Sequence, residues 1–273
     1  MLDGRGFGSL PVRWTAIQAL LASIWERAMD GTLFQIVLFL GATFAAAVVA
    51  GVSGFAFALI AAAVWLHVLT PLQTATLTIG YGMIVQGYGA WKLRHALNWS
   101  RTWPFLLGGA PGVAIGALLL QWANPSHLRT GIGAFLVLYA IYGLARPTFK
   151  LERVNTAMDI GVGFLSGVLG ALSGFAGILI VIWCTMRGWP RDIQRGVFQP
   201  AAVALLAMCA LALGVTGSIA LDTVQLFLIG LPALLAGTWA GFKLYGLLDE
   251  AGFRRVVLIL LLVSGVPLIV GLR

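Results

Sequence analysis

A four-residue segment that occurs twice decides how this chain folds. Residues 53–56 read Ser-Gly-Phe-Ala, and the same four residues recur at positions 173–176. Each copy interrupts a long apolar run, the first from Leu33 to Leu69 and the second from Ile160 to Met186. Glycine allows the backbone to leave the helical conformation, and serine favours helix ends over helix interiors. Each run therefore predicts a helical hairpin, or two part-crossing helices that meet inside a membrane.

The composition of the chain excludes a water-soluble protein. The 273 residues are 60% hydrophobic and 10% charged, and the mean hydropathy is +0.97. Soluble proteins carry about 25% charged residues, and disordered chains have low hydrophobicity. Six further apolar runs reach the length of about 17–25 residues that a membrane-crossing helix needs. They cover approximately residues 72–91, 103–122, 128–144, 197–213, 224–242 and 256–272. The sequence therefore predicts an all-α polytopic membrane protein.

The order of these runs is the same twice, which indicates an internal duplication. Each interrupted run precedes three uninterrupted runs. Three landmarks recur 121 residues later, namely Gln73 as Gln194, Pro111 as Pro232 and Gly116 as Gly237. We predict a first transmembrane repeat at 33–146, a cytoplasmic connector at 147–154 and a second repeat at 155–273. The tail, residues 1–32, holds an apolar segment too short to span, so we expect an interfacial amphipathic helix there.

The distribution of basic residues orients the helices in the membrane. Twelve of the seventeen lysines and arginines lie in four segments, 92–101, 146–153, 187–195 and 243–255. Basic loops favour the cytoplasmic side of a membrane, and the net charge of +8 fits an anionic leaflet better than nucleic acid. With these segments inside, the second repeat is inverted relative to the first. The first interrupted run then opens outward and the second opens inward.

Paired breaks in inverted repeats favour a binding site for an anion. A helix that restarts inside the bilayer directs unpaired N–H groups and its positive dipole end at the break. This pattern is typical of secondary transporters. The candidate substrate contacts in the first break are Ser53, Gly54 and Phe55. The serine of each break is also a candidate N-cap of the helix that restarts after it. The counterparts in the second break are Ser173, Gly174 and Phe175.

Arg195 is the sharpest candidate among the charged residues. It lies where a membrane run begins, with Gln199 one helical turn later on the same face. A guanidinium offers a planar fork that suits a sulfonate or a carboxylate. The alternative is an anchor that extends to the cytoplasmic headgroups. We expect Arg195 to lie beside the second, inward-opening break, and the sequence leaves both roles open.

Polar residues of the first repeat supply further candidates. Thr74, Thr76 and Thr78 lie at the equivalent helix start, and Thr74 and Thr78 share a face. Threonines in membrane helices often bond to their own backbone carbonyls. Gln86 lies further along the same run, where a lone amide needs a partner, either a substrate or another helix. We therefore include Thr78 and Gln86 in the predicted substrate site.

The residues that carry these patterns also resemble a known family. The duplicated four-part layout, the breaks at 51–55 and 171–175, and the stretch Gly188–Pro200 are similar to the sulfite exporter TauE/SafE family, which is grouped with toluenesulfonate uptake permeases. The resemblance covers about residues 33–272. It implies a carrier of the bacterial inner membrane for small sulfur-containing or organic anions, such as sulfite, sulfoacetate or other sulfonates.

The sequence thus predicts a secondary transporter that works by alternating access and holds its anion at the N-termini of the interrupted helices. An anion channel of the same architecture, or an uptake permease for a related organic anion, is the alternative. Scattered histidines, two unpaired cysteines and the lack of catalytic motifs argue against an enzyme. We expect no cofactor, metal or nucleic-acid partner, while the bilayer and a homo-oligomer are compatible with the sequence.

Overall fold

The computed structural model describes residues 32–92, 94–145, 155–244 and 250–270. These residues contain ten α-helices and one short 3-10 turn, Arg94–Ala96. The helices are α1 (Thr32–Ser53), α2 (Phe57–Trp65), α3 (Pro71–Lys92), α4 (Trp99–Trp122), α5 (Pro125–Ala145), α6 (Thr156–Ser173), α7 (Ile178–Met186), α8 (Arg191–Val215), α9 (Leu221–Leu244) and α10 (Glu250–Val270). The predicted all-α fold is confirmed. The predicted tail helix and connector lie outside the described residues.

Each interrupted run forms one long helix followed by one helix of nine residues. The long helices α1 and α6 end at Ser53 and Ser173. The next residue in each case is a glycine with positive φ, +89° at Gly54 and +81° at Gly174. Residues with a side chain rarely adopt this left-handed conformation, so glycine ends both helices at the same point of the repeat.

Helices that the predicted duplication makes equivalent pack against each other in opposite directions. Along the α3–α8 contact, Gly82 lies against Leu206 and Gly89 lies against Gln199. The residue number thus rises in α3 as it falls in α8. In the same way α5 and α10 are antiparallel, because Gly133 meets Leu268 and Gly143 meets Leu258.

Two further helix pairs run parallel and are joined through glycine. A Cβ on Gly108 or Gly112 of α4 would overlap the backbone of α6 at Ile160 or Phe164. In the second half Gly237 and Gly241 of α9 approach the backbone of α1 at Phe44 and Val48. Helices in a membrane associate through such close van der Waals packing, which small residues permit.

Helix α3 contributes to both apolar cores of the chain. Its Leu77, Tyr81 and Val85 belong to a core built mainly from α1, α2, α5 and α10. Its Ala75 and Ile79 belong to a second core formed with α4, α6, α7 and α8. The chain also divides by backbone contacts into two units, 1–38 and 39–273, and both cores lie in the second. The central position of α3 brings its polar residues close to both breaks.

Six of the described helices are long and apolar enough to cross a membrane, namely α1, α4, α5, α6, α8 and α9. This set differs from the six uninterrupted runs predicted above. The first arms of the two interrupted runs qualify, whereas α3 does not, since threonines and glutamines reduce its hydropathy. The helix α10, Glu250–Val270, has 21 residues, and its apolar part with described side chains is Val257–Val270. These helices nevertheless form a multi-pass membrane protein.

Candidate functional site

A small cavity lies where α3 and α8 meet the two helix breaks. Its volume is about 20 Å³, which is about the room that one water molecule occupies. The lining residues are Ala50, Phe55, Phe57, Ala58, Gly82, Val85, Gln86, Gly174, Phe175, Gly177, Ile178, Ala202 and Leu206. Both short helices present their first residues to this space. The cavity is thus lined by two positive helix ends and by aromatic rings.

The first break faces Arg195. The side chain of this arginine comes within 3.5–3.6 Å of the position that a Cβ on Gly54 would occupy. The expectation that Arg195 lies beside the second break is therefore wrong. The antiparallel crossing of α3 and α8 places the beginning of α8 next to the break of the other repeat. Arg195 is partly buried and also makes a further contact within the protein.

The hydroxyl of Ser53 organises the loop of the first break. Its Oγ accepts hydrogen bonds from the backbone N–H groups of Phe55 and Ala56, at 3.5 and 3.3 Å. Ala56 itself holds the N-cap position of α2 and makes no side-chain cap. Ser53 therefore accepts hydrogen bonds from N–H groups that precede α2, and it is not the N-cap of that helix.

The second break is held by Thr78 of α3. The Oγ1 atom of Thr78 lies 2.9 Å from the carbonyl oxygen of Ser173, across 95 residues of chain. A Cβ on Gly174 would overlap this hydroxyl. Ser173 donates its own hydroxyl to Leu169 O at 2.7 Å. The N-cap of α7 is Gly177, which has no side-chain bond, so the expectation that Ser173 caps the restarting helix is wrong.

Two glutamines at the α3–α8 crossing keep a buried oxygen without a partner. The Oε1 atoms of Gln86 and Gln199 are both buried and unbonded, and these residues are 8% and 3% exposed. Gln86 lines the cavity, whereas the amide of Gln199 packs over Gly89. A buried polar atom without a partner costs on the order of 1–3 kcal/mol. Such atoms are therefore candidates to bind a ligand or water.

The phenylalanines of the two breaks have different surroundings. Phe55 meets Phe198 of α8 edge to face, with ring centroids 6.3 Å apart. Phe175 is 1% exposed and packs on Phe135 of α5 at 5.4 Å. Both rings line the cavity, and Phe55 is the more exposed of the two. Each break therefore contributes one aromatic ring to the wall of the cavity.

The sequence analysis missed a polar cluster at the ends of the second interrupted run. Asp159, in the first turn of α6, accepts a hydrogen bond from Trp183 Nε1 at 2.7 Å. It also pairs with Arg187, whose Nη1 lies 3.0 Å from both carboxylate oxygens. The guanidinium of Arg187 covers the ring of Trp189 at 4.5 Å. This cluster ties the beginning of α6 to the end of α7.

Three features could have indicated this cluster in the sequence. Asp159 directly precedes the apolar run Ile160–Met186, Trp183 lies near the end of that run and Arg187 directly follows it. An acidic residue near a membrane helix end requires a partner. The separations of 24 and 28 residues are not a local helix spacing, so the pairing becomes visible only once α6 and α7 are placed.

The two breaks therefore have different chemical surroundings. The positively charged side chain of Arg195 lies beside the first break, and the neutral hydroxyl of Thr78 contacts the second. The N-terminal ends of α2 and α7 share the cavity between them. Arg195 lies against Gly54 but does not line this cavity. Positive helix ends are an arrangement that can hold an anion without a metal ion or a covalent step.

Comparison with known proteins identifies a family for most of the chain. A sequence model with the description "Sulfite exporter TauE/SafE" matches residues 38–268. No curated protein and no solved structure matches the chain.

Proposed function

Because the chain belongs to the sulfite exporter TauE/SafE family, a family of membrane transporters, we propose that it is a secondary carrier of small sulfur-containing or organic anions. Sulfite, sulfoacetate and other sulfonates are the candidate substrates. The carrier acts in a bacterial inner membrane and exposes its site alternately to the two sides.

The observation that carries this proposal is the shared cavity at the two helix beginnings. Phe57 and Ala58 begin α2, and Gly177 and Ile178 lie at the beginning of α7. Both groups line the same space. Two half-helix N-termini that point at one site supply N–H donors and positive potential to a bound anion. The oxygens of a sulfonate or sulfite need this kind of surrounding.

Arg195 is the proposed charged partner of the anion. It lies against the first break, close to the residues from which α2 begins. Its guanidinium forms two parallel hydrogen bonds to a flat pair of oxygens, which a lysine cannot imitate. A site role explains why the side chain lies at a helix break, whereas a headgroup anchor would extend away from it.

An inverted repeat supports alternating access. The equivalent helices α3 and α8 are antiparallel, and so are α5 and α10. Equivalent elements with opposite directions are related by a two-fold axis perpendicular to the helices. A carrier with this symmetry switches sides when the two halves exchange conformations around a fixed site.

The size of the cavity leaves no open path through the described helices in this conformation, as a carrier between its two open states requires. A space of about 20 Å³ holds about one water molecule and is too small for an anion with three oxygens. The anion therefore enters only after the helices around the breaks move. An open channel would present a continuous path in one conformation.

The direct test is flux into proteoliposomes that contain the purified protein. Radiolabelled sulfite, sulfoacetate, taurine and acetate are compared at both polarities of membrane potential. We expect saturable flux of at least one sulfur oxyanion. Absence of flux for every anion at either polarity would contradict the proposal.

The residue-level test is the pair Arg195→Gln and Arg195→Lys. Loss of a bidentate charged contact costs about 2–5 kcal/mol, so we expect both variants to lose at least about tenfold in flux. Arg94→Gln is the matched control, since Arg94 lies in the exposed 3-10 turn and contacts the ring of Trp91. Wild-type flux in a folded Arg195→Gln protein would show that Arg195 does not bind the anion and would favour its role as an anchor to the lipid headgroups.

A further inference from the structure

Among the described residues that line the cavity at the two breaks, Gln86 of α3 has the only polar side chain. All the others have apolar side chains or, as glycines, none. The Nε2 atom of Gln86 lies 3.7 Å from the position that a Cβ on Gly177 would occupy. Gly177 is the N-cap of α7. The amide of Gln86 therefore lies at the beginning of α7, in the wall of the cavity.

The amide oxygen of Gln86 has no hydrogen-bond donor among the described residues. The residue is 8% exposed, and its Oε1 is buried without a partner. Most buried polar atoms have a partner, because an unpaired acceptor loses its bonds to water and gains none in return. Gln73 on the same helix shows the usual condition, since its Oε1 accepts bonds from N and Oγ1 of Thr70 at 3.0 and 3.1 Å. Gln86 thus retains an acceptor that a ligand can use.

The duplication does not account for a glutamine at this position. The offset of 121 that relates Gln73 to Gln194 relates Gln86 to Ala207. Gln73 and Gln194 share a structural role, because each bonds to the turn that precedes its own helix, at Thr70 and Trp189. A packing role common to both halves therefore does not explain the amide of Gln86.

The other groups that we propose to hold the anion are all donors. The beginnings of α2 and α7 offer backbone N–H groups, and the guanidinium of Arg195 offers more. The oxygen of Gln86 is an acceptor, so an anion whose outer atoms are all acceptors cannot pair with it. The oxygen and the nitrogen of an amide leave from the same carbon. A ligand bound beside one of them therefore also lies close to the other.

We propose that the transported anion donates a hydrogen bond to Gln86 Oε1. The site then selects oxyanions that carry an O–H or N–H group over those of the same size that carry acceptors only. Among sulfur anions this favours hydroxysulfonates and hydrogensulfite, HSO₃⁻, over sulfoacetate and SO₃²⁻. Gln86 is thus a specificity-determining residue. The inference rests on the transport function proposed above, because it concerns the anion of that same cavity.

Two sulfonates that differ in one hydroxyl group test this selection in the wild-type protein. Isethionate is ethanesulfonate with a terminal hydroxyl, and both are monoanions at neutral pH. We expect initial flux of isethionate into proteoliposomes to exceed that of ethanesulfonate at least about tenfold, because the anion without a donor leaves a buried acceptor unpaired. Equal flux of the two anions would overturn the proposal and leave the carrier intact.

Gln86→Met tests the assignment to this residue, since methionine removes the amide and still fills the space. We expect isethionate flux to fall about tenfold and ethanesulfonate flux to stay within about twofold of the wild type. A role of Gln86 in folding or packing alone would lower both fluxes by the same factor and overturn the proposal. Gln73→Met is the matched control on the same helix, because the oxygen of Gln73 is already bonded. The preference for isethionate should persist in that variant.

The pH dependence of sulfite flux is an independent test. The second proton of sulfurous acid dissociates near neutral pH, so HSO₃⁻ gives way to SO₃²⁻ as the pH rises. We expect sulfite flux at constant total concentration to fall through this range. Isethionate is the control, since it keeps its hydroxyl proton and should show constant flux. Sulfite flux that is unchanged or rises with pH would contradict the selection of a donor.

Ligand protection in detergent separates this inference from the proposed function. A ligand that binds the folded state stabilises it. We therefore expect isethionate to raise the unfolding midpoint of the purified protein more than ethanesulfonate does at the same concentration. This preference together with no flux of any anion would overturn the carrier and leave the donor selection. Flux of both sulfonates with no preference in either assay would overturn the donor selection and leave the carrier.

Discussion

At the scale of single residues, Arg195 and Thr78 show that each repeat completes the break of the other. Arg195 belongs to the second repeat and lies against Gly54 of the first, while Thr78 belongs to the first and lies against Gly174 of the second. This exchange follows from the crossing of α3 and α8. The residue types were predictable from the sequence, but their partners depend on contacts between segments that are far apart in the chain, 95 residues for Thr78 and Ser173.

Gly89 offers a way to move Gln199 without mutating it. A Cβ on Gly89 would lie 2.7 Å from Gln199 Nε2, so Gly89→Ala should displace the amide. If Gln199 contributes one hydrogen bond to the site, we expect anion flux to fall about fivefold, the equivalent of ~1 kcal/mol. The measurement is initial flux into proteoliposomes at a substrate concentration below saturation.

Gly87→Ala is the control for this experiment. Gly87 lies two residues away on α3, and a Cβ there meets nothing within 4 Å. Both substitutions gain the same helix propensity, so only the displacement of Gln199 differs. Equal flux in the two variants would show that the position of Gln199 does not matter for transport.

At the scale of helices, close backbone contact joins α4 to α6. Gly163 of α6 lies so close to Phe105 that a Cβ would overlap the backbone of that residue. Gly167 approaches the carbonyl of Gly109 in the same way. In a membrane such packing replaces the hydrophobic effect as the main attraction between helices. The contact also fixes the first arm of the second interrupted run.

We expect Gly163→Ala to separate α4 from α6 and to destabilise the protein by about 1–3 kcal/mol, the usual cost of overpacking. The measurement is the unfolding midpoint in detergent, followed by far-ultraviolet circular dichroism. Gly161→Ala on the same helix serves as the control, since its Cβ meets nothing within 4 Å. A Gly163→Ala protein as stable as the control would contradict the close contact.

The positions of the helices could be predicted from the sequence more completely than their roles. Apolar runs and the Gly54 and Gly174 interruptions placed the helices, because helix length and breaks are local properties. The role of α3 is harder to foresee, since its apolar run predicts an ordinary span in spite of several threonines. The contact of Asp159 with Trp183 depends on how two helices lie together, which no local pattern encodes.

At the scale of the whole molecule, the helices that the predicted duplication makes equivalent run in opposite directions where they meet. The antiparallel pairs α3–α8 and α5–α10 join equivalent helices, and the parallel pairs α4–α6 and α9–α1 are equivalent contacts. The same set of contacts thus recurs when the halves are exchanged. Two helix beginnings share one cavity in this arrangement, and the proposed alternating access requires that a change in one half opens a path to one side.

The inverted topology that we predict from the sequence assigns a side of the membrane to each turn. Ser126 lies in the first turn of α5 and Ser218 between α8 and α9, while Ser100 lies at the beginning of α4 beside the basic segment. We expect Ser126→Cys and Ser218→Cys to react with an impermeant thiol reagent from outside the cell. Ser100→Cys should react only after the membrane is opened.

The native cysteines do not interfere with this measurement, because Cys184 and Cys209 are both buried. The unsubstituted protein is the control for background labelling. Labelling of Ser126→Cys and Ser218→Cys from opposite sides would rule out inverted repeats.

Counterflow is the measurement that tests the carrier most directly. Proteoliposomes are loaded with unlabelled sulfite and diluted into a trace of labelled sulfite, with sulfoacetate in a parallel series. An alternating site returns from each exit with a labelled anion, so we predict a transient accumulation of label above its equilibrium level. The overshoot should be absent in Arg195→Gln and normal in Arg94→Gln. The contradicting result is label that rises only to equilibrium, at a rate that does not saturate with sulfite concentration. This result would exclude alternating access and indicate a channel.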